Sequence, residues 1–426
     1  MALPMNQVIT MRTVAYAISG LGGSNAHAAG FLAAAQELAK QPPVGEQPVP
    51  AVHRAHPSFI SCTSGTIYWV AKYLEGADLR QLVRDQTDAA WRASMVPGNE
   101  LGKTFEGLAL VSLIGRPGLF KPVVPTYIQH WAERFRGFLI PGSPYWLGVP
   151  TSLDDLWNLV YPARLFTPTV DQATIDGIAG TLKSAHIGIA FNTYEPESGI
   201  EYVHVNPSGL RMIKDTIPEA EYGLRRGNRV YEPITPDAVR NALWLLEYGF
   251  DRSADGRRLM DGEYIRSIII DELAFADEII SVRPVNTRWL GHLPENLLER
   301  LDLQFELWIN ASYREQRDTI DLINKFLKGR RGHQLQEIKP GPEATGDEQA
   351  ATDGQVPERE LPKKYHHVTL TPIEIQSQRG FFDYFVESLE VFDQAYGQSL
   401  TDLRNSVTVG RRERVQEQAA QPSGIK

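Results

Sequence analysis

Two consecutive strand–turn–helix units near the N-terminal end constrain this chain more than any other feature. The first, "TVAYAISGLGGSNAHAAGFLAAAQELAK", has an apolar run over Thr13 to Ile18, a glycine turn, and an alanine-rich helix expected from about Ala26 to Lys40. A proline-rich loop, Gln41 to Pro50, separates it from the second. There, "FISCTSGTIYW" (Phe59 to Trp69) reads as a short buried strand, a tight turn at Ser64, and a helix from Thr66 to Leu74. Strand, crossover helix and strand make a βαβ unit, which predicts a parallel sheet with helices on its faces. A chain of 426 residues suits one large α/β domain with additions, or two domains.

Downstream the pattern changes. From about Ala77 to Gly180 the sequence is mostly amphipathic helix and aromatic-rich loop, with Tyr127, Trp131, Phe135, Phe138, Tyr145 and Trp146 crowded together. Between sheet elements such a segment reads as an inserted helical cap or lid over 77–180, or alternatively as ordinary core. Strand signals then return in "HIGIAFNTYEPESGIEYVHVN", a hairpin pattern around Gly199, followed by a helix carrying Val239, Leu243, Leu245 and Leu246. In "RRLMDGEYIRSIIIDELAFADEIISVRPVN", Asp261-Gly262 marks a turn and Glu278 to Pro284 a buried strand.

The division that follows is a main domain over 10–335, a linker over 339–362, a C-terminal strand and helix over 363–410 that pack on the main domain, and a tail over 411–426. The linker is rich in Pro, Gly and acids with almost no large apolar residue, so it and the tail are expected to be disordered. The C-terminal helix spaces Phe381, Tyr384, Phe385, Leu389 and Phe392 on one face.

Composition removes several function classes. A net charge of −9 and a pI near 5.7 argue against a nucleic-acid surface, which needs a clustered basic face. The short basic run Lys328, Arg330 and Arg331 suits a solvated helix end. With Cys62 as the single cysteine, neither an internal disulfide nor a cysteine–zinc site can form, and a reducing cytosol is the simplest setting. "VAYAISGLGGSNAHA" has a superficial signal-peptide look, but Gly20, Gly22 and Gly23 interrupt its apolar run and only Arg12 precedes it.

Ser64 is the residue with chemical promise. A serine becomes nucleophilic when a strained strand-to-helix turn exposes it, a base takes its proton, and backbone donors stabilise the oxyanion. The usual G-x-S-x-G pattern is replaced here by Cys62-Thr63-Ser64-Gly65-Thr66, so a plain tight turn is the other reading. Upstream, Gly20, Gly22 and Gly23 let N–H groups converge at a helix N-terminus, as an oxyanion hole requires. The same turn could cradle a dinucleotide phosphate, but a third glycine is missing and no acid ends the next strand.

Together these segments resemble patatin-like phospholipases, the patatin-like lipid acyl hydrolases. "AISGLGGSNAHAAGFL" resembles their first glycine-rich motif, "ISCTSGTIYW" their nucleophile elbow, and "LMDGEYIRSIIIDELAFADEIISVRP" their D-G-[GA] turn and the following strand. The resemblance implies a three-layer α/β/α fold with a mostly parallel sheet. It also implies a Ser–Asp dyad, with Ser64 as nucleophile, Asp261 as base, and Gly20, Leu21, Gly22 and Gly23 supplying the oxyanion donors. No metal or cofactor is needed for that cycle. The expected substrate is a phospholipid or other fatty-acyl ester, met by a cytoplasmic protein in transient contact with a membrane surface. The loop lacks the family's basic residue, Cys62 and Thr66 replace elbow glycines, and Glu263 adds a carboxylate after the Asp-Gly pair. The alternative is therefore a catalytically silent lipid-binding or interaction protein that keeps the fold.

Other candidates rank lower. Ser64, Asp261 and His292 follow the chain order of an α/β-hydrolase triad, but that fold places several strands before its nucleophile. Cys62 reads as packing at a strand end, and His27 as a packing or capping residue. His366 and His367 point to opposite faces if on a strand, and Asp271, Glu272, Asp277 and Glu278 read as a charged loop or helix face rather than a cation site.

Overall fold

The structure is a computed structural model. It describes residues 13–20, 25–40, 53–85, 120–122, 166–168, 170–245, 255–284, 297–334, 367–375 and 389–405, with isolated positions at 129, 132, 136, 139–141, 253 and 293–294. The sequence expectations for the linker 339–362, the tail 411–426, most of the cap 77–180, and His292 and His366 lie outside the described residues.

The N-terminal units form as their sequences dictate. Strand β1 (Val14–Ile18) leads into helix α1 (Ala26–Lys40), and β2 (Phe59–Cys62) into α2 (Thr66–Leu74). β1 and β2 pair in parallel, Ala15 opposite Phe59 through Ile18 opposite Cys62. A small ribbon, β3 (Phe120–Pro122) with β4 (Phe166–Pro168), stands apart from the main sheet. Helix α3 (Gln172–Ser184) is capped by Asp171, whose side chain accepts from the Thr174 N–H.

Strands β5 (Gly188–Glu195) and β6 (Ile200–Val205) form the expected hairpin, with Gly199 at φ 68°. Then come α4 (Pro207–Lys214), β7 (Arg225–Arg226), β8 (Arg229–Pro233) and α5 (Pro236–Ala242). The two-residue β9 (Met260–Asp261), β10 (Glu278–Arg283), α6 (Leu297–Gln334), β11 (Thr369–Glu374) and α7 (Leu389–Asn405) complete the order.

Nine strands make one α/β sheet in the order β11-β10-β1-β2-β5-β6-β8-β7, with β9 paired to β5. The sheet is mostly parallel but mixed: β5–β6, β5–β9 and β7–β8 are antiparallel. Its central strands are buried on both faces. Val14, Tyr16, Ile18, Ile60, Ile280 and Val282 join one core with α1, α2, α3, α5 and α7. Ala15, Ala17, Phe59, Ala190 and Ile279 join a second core with Leu210 and Ile213 of α4 and Tyr313 and Ile320 of α6. Helices therefore flank the sheet on both sides.

Helix α3 belongs to this body and not to a separate lid, because Ile175, Ile178, Ala179 and Leu182 lie in the first core. Helix α7 crosses α1 at Gly30, where a Cβ would come within 2.5 Å of the Phe392 carbonyl oxygen. Only a glycine there allows the backbones to approach so closely.

Of the acids read as a charged loop or helix face, two are buried and ion-paired. Glu272 and Glu278 are buried at 0% and 3% exposure. Arg266 donates to Glu272 at 2.7 Å and to Glu201 at 2.7 Å, Arg229 reaches Glu201, Asp271 and Glu272, and Arg54 binds Glu278 at 3.0 Å. Burial pushes the Glu272 carboxyl up, but the Arg266 and Arg229 guanidiniums outweigh it and hold the group at about 2. Burial, reinforced by repulsion from Glu272, raises Asp271. Buried carboxylates persist only when paired in this way. Among the described residues no helix is long and apolar enough to cross a membrane, and no group of three or more His, Cys, Asp or Glu could hold a metal ion.

Candidate active site

The bend after β2 is sharp in backbone terms. Ser64 has φ 54°, a left-handed conformation rare for a residue with a side chain, and it is 2% exposed. Such strain at a strand-to-helix turn persists only where the surroundings hold it, and it is a recurrent property of nucleophile positions. Directly after it, Gly65 opens α2, and the Gly65 N–H has no acceptor among the described residues.

Thr63 fixes the bend from the other side. Its hydroxyl is fully buried, accepts the Gly20 N–H at 2.6 Å and donates to the Ser267 carbonyl at 2.8 Å. One side chain thus ties the end of β1 to the elbow and the elbow to the segment after Asp261. Ser61 adds a parallel tie, donating to the Ile269 carbonyl at 2.6 Å. The hydroxyl of Thr66 donates back to the Thr63 carbonyl and accepts the Thr63 N–H at 3.0 Å, closing the turn on itself.

Strand β9 brings Asp261 to the same end of the sheet. Along β5, residues Gly188–Ala190 pair with β2, and Thr193 and Tyr194 pair with β9, while β6 occupies the opposite edge. β9 therefore continues the edge that β2 leaves when it bends into α2. Asp261 is fully buried, and its Oδ1 accepts the Glu263 N–H at 2.9 Å, closing the short 3₁₀ turn Gly262–Tyr264. Asn192 of β5 holds this turn, donating to Glu201 at 2.8 Å and to the Gly262 and Arg266 carbonyls at 3.3 Å.

Glu263 and Ser64 meet across Gly20. A Cβ at Gly20 would lie 2.7 Å from the Ser64 Cβ, 2.7 Å from the Thr63 carbonyl oxygen and 3.0 Å from Glu263 Oε2. The glycine is required there by this approach, and the carboxylate of Glu263, 7% exposed, stands across it from the serine.

Placement of the sequence candidates is thus uneven. Ser64, Asp261 and Gly20 share one end of the sheet. The Gly20 N–H is already bonded to Thr63, so Gly20 does not offer an oxyanion donor. Leu21, Gly22 and Gly23 lie outside the described residues. His27 holds the loop instead of titrating: its Nε2–H donates to the Ser19 carbonyl at 2.9 Å, and burial lowers its pKa to about 4. Cys62 is a buried packing residue whose thiol is pushed up by burial.

Thr63 and Asn192 escaped the sequence reading. Each is an ordinary residue in a strand or turn whose role arises only when distant segments meet. The chain matches no protein-family model and no curated protein sequence.

Proposed function

We propose that this protein is a serine-dependent lipid acyl hydrolase with a patatin-like, three-layer α/β/α body, cleaving phospholipid or other fatty-acyl esters. The observation that carries the reading is the positive φ of Ser64 at a buried strand-to-helix bend, with the Asp261 strand continuing the edge that β2 vacates. A strained serine and a buried carboxylate at the carboxyl end of a parallel sheet are the parts a Ser–Asp dyad needs.

In the proposed cycle Ser64 Oγ attacks the ester carbonyl while Asp261 takes its proton. The developing oxyanion is met by the Gly65 amide and by donors of the Leu21–Gly23 loop. Collapse expels the alcohol, which recovers the proton from Asp261. Water then attacks the acyl-serine, losing a proton to Asp261; the second tetrahedral intermediate collapses, Ser64 Oγ leaves and recovers that proton from Asp261, and the fatty acid departs. The reading carries a cytoplasmic setting, in keeping with one cysteine, and transient contact with a membrane surface.

The engagement of the Gly20 amide by Thr63 favours a second reading: a silent lipid-binding or interaction protein that keeps the fold. Turnover of p-nitrophenyl butyrate and of phosphatidylcholine vesicles separates the two. The hydrolase reading expects ester turnover that Ser64→Ala and Asp261→Asn each reduce by about a thousandfold or more. Turnover that survives both substitutions, or is absent from well-folded native protein, supports the silent reading.

A further inference from the structure

We infer that the cavity beside the β7–β8 turn is a binding site for a small zwitterion that joins a phosphate to a quaternary ammonium, a group of the phosphocholine type. The cavity measures about 360 Å³, within the range of small-molecule sites. Strand β8, which borders it, stands three strand spacings from β9 across β5 and β6, roughly 14 Å, so the site does not depend on the chemistry at Ser64. Ile217, Ala274 and Ile323 give it an apolar wall, and Arg226, Asn228 and Asp271 its polar groups. Gly227, at φ 63°, makes the tight turn that sets Arg226 and Asn228 at the rim.

Each sign of charge is left over once. Glu201, Asp271 and Glu272 surround Arg229 and Arg266, three carboxylates to two guanidiniums. Of those three acids only Asp271 lines the cavity. Arg226 supplies the opposite surplus. Its guanidinium is exposed and meets no carboxylate at ion-pair distance among the described residues, and the Asn228 carboxamide has no hydrogen-bond partner among them. An anion alone would pair with Arg226 and face the surplus carboxylate; a cation alone would do the reverse. A ligand carrying both signs satisfies both, and its cationic end favours the ionised form of Asp271.

The donors and acceptors on offer define each end. Asp271 Oδ1 is buried, and Oδ2 already accepts from Arg229 and Gln316. The carboxylate therefore presents a field and not a further hydrogen bond. A primary ammonium would leave N–H groups unsatisfied there, whereas a quaternary ammonium has none and packs its methyl groups on Ile217, Ala274 and Ile323. At the other end, the guanidinium fork of Arg226 beside a carboxamide donor matches the oxygens of a phosphate.

The test is isothermal titration calorimetry of the full chain with phosphocholine, choline and inorganic phosphate. Phosphocholine should bind with a dissociation constant of about 1 mM or tighter, and about tenfold or more tighter than choline or phosphate alone. Arg226→Gln, at an exposed position, should weaken phosphocholine to the level of choline, and Asp271→Asn to that of phosphate. Ile323→Trp, which fills the cavity, should abolish binding. Circular dichroism melting checks each fold, and if Ile323→Trp is unfolded the Arg226→Gln result decides. Native protein that binds phosphocholine no better than its two halves, or binding that Arg226→Gln leaves unchanged, overturns the inference. Phosphatidylcholine vesicles separate the two sources of this group. Vesicle binding that is lost in Arg226→Gln assigns a lipid headgroup, and phosphocholine binding without vesicle binding assigns a free small molecule; each supports the site.

Discussion

Replacing Thr63 with valine removes one buried hydroxyl and changes almost nothing in shape, which makes it a sharp test of how the elbow is held. In the native protein that hydroxyl accepts the Gly20 N–H at 2.6 Å and donates to the Ser267 carbonyl at 2.8 Å, at 0% exposure. Valine leaves both backbone groups buried without a partner, at about 1–3 kcal/mol each, so the variant should lose about 2–6 kcal/mol. For a chain of this size that corresponds to a melting midpoint lower by about 2–7 °C. Thr63→Ser keeps the hydroxyl and sheds only a methyl, for about 1 kcal/mol. The assay is thermal melting followed by circular dichroism, with the second-order rate of fluorophosphonate labelling measured well below the midpoint. Because the same bridge positions the loop against Ser64, labelling should slow in the valine variant and persist in the serine one. A valine variant that melts within 1 °C or so of native and labels at the native rate would refute the bridging role.

Two further perturbations probe the buried charges. Arg266→Met removes the guanidinium shared by Glu201 and Glu272, leaving Arg229 as their remaining described cationic partner, and should cost about 3–5 kcal/mol in urea unfolding at pH 7; a loss under about 1 kcal/mol would contradict the pairing. His27 is held neutral by burial, with its pKa lowered to about 4. Its unfolded value is about 6.5, so at higher pH neither state binds the proton. As pH falls from about 6.5 toward 4 only the unfolded chain takes it, and stability drops by up to about 1.4 kcal/mol per pH unit. His27→Gln should flatten that dependence by one proton over the same window, read as urea midpoints; an unchanged slope would mean His27 is not held neutral.

Much of the framework was legible because it is local. The apolar runs of β1 and β2, the small residues after them and the helices that follow need only neighbouring positions to be recognised. So do the hairpin at Gly199 and the turn at Asp261-Gly262. Asp261 was identifiable as a turn residue, but β9 is too short for any periodicity, and its place on the β2 edge follows only from the pairing along β5. Helix α3 carried its signal openly, with Ile175, Ile178 and Leu182 at helical spacing, but the aromatic-rich stretch before it drew the boundary too far. The charge network was not legible at all. Glu201, Arg229, Arg266 and Glu272 come from separate segments, so acids that read only as a charged loop or helix face are buried against arginines from elsewhere in the chain. Thr63 is similar: nothing in Cys62-Thr63-Ser64 reveals that its hydroxyl will bridge Gly20 and Ser267.

The most direct measurement is fluorophosphonate labelling of the native protein, Ser64→Ala and Asp261→Asn, followed by mass spectrometry of the modified peptide. The account predicts a single covalent adduct on Ser64, absent in Ser64→Ala and strongly slowed in Asp261→Asn. A folded native protein that takes no probe, or an adduct on another residue that survives Ser64→Ala, would contradict it.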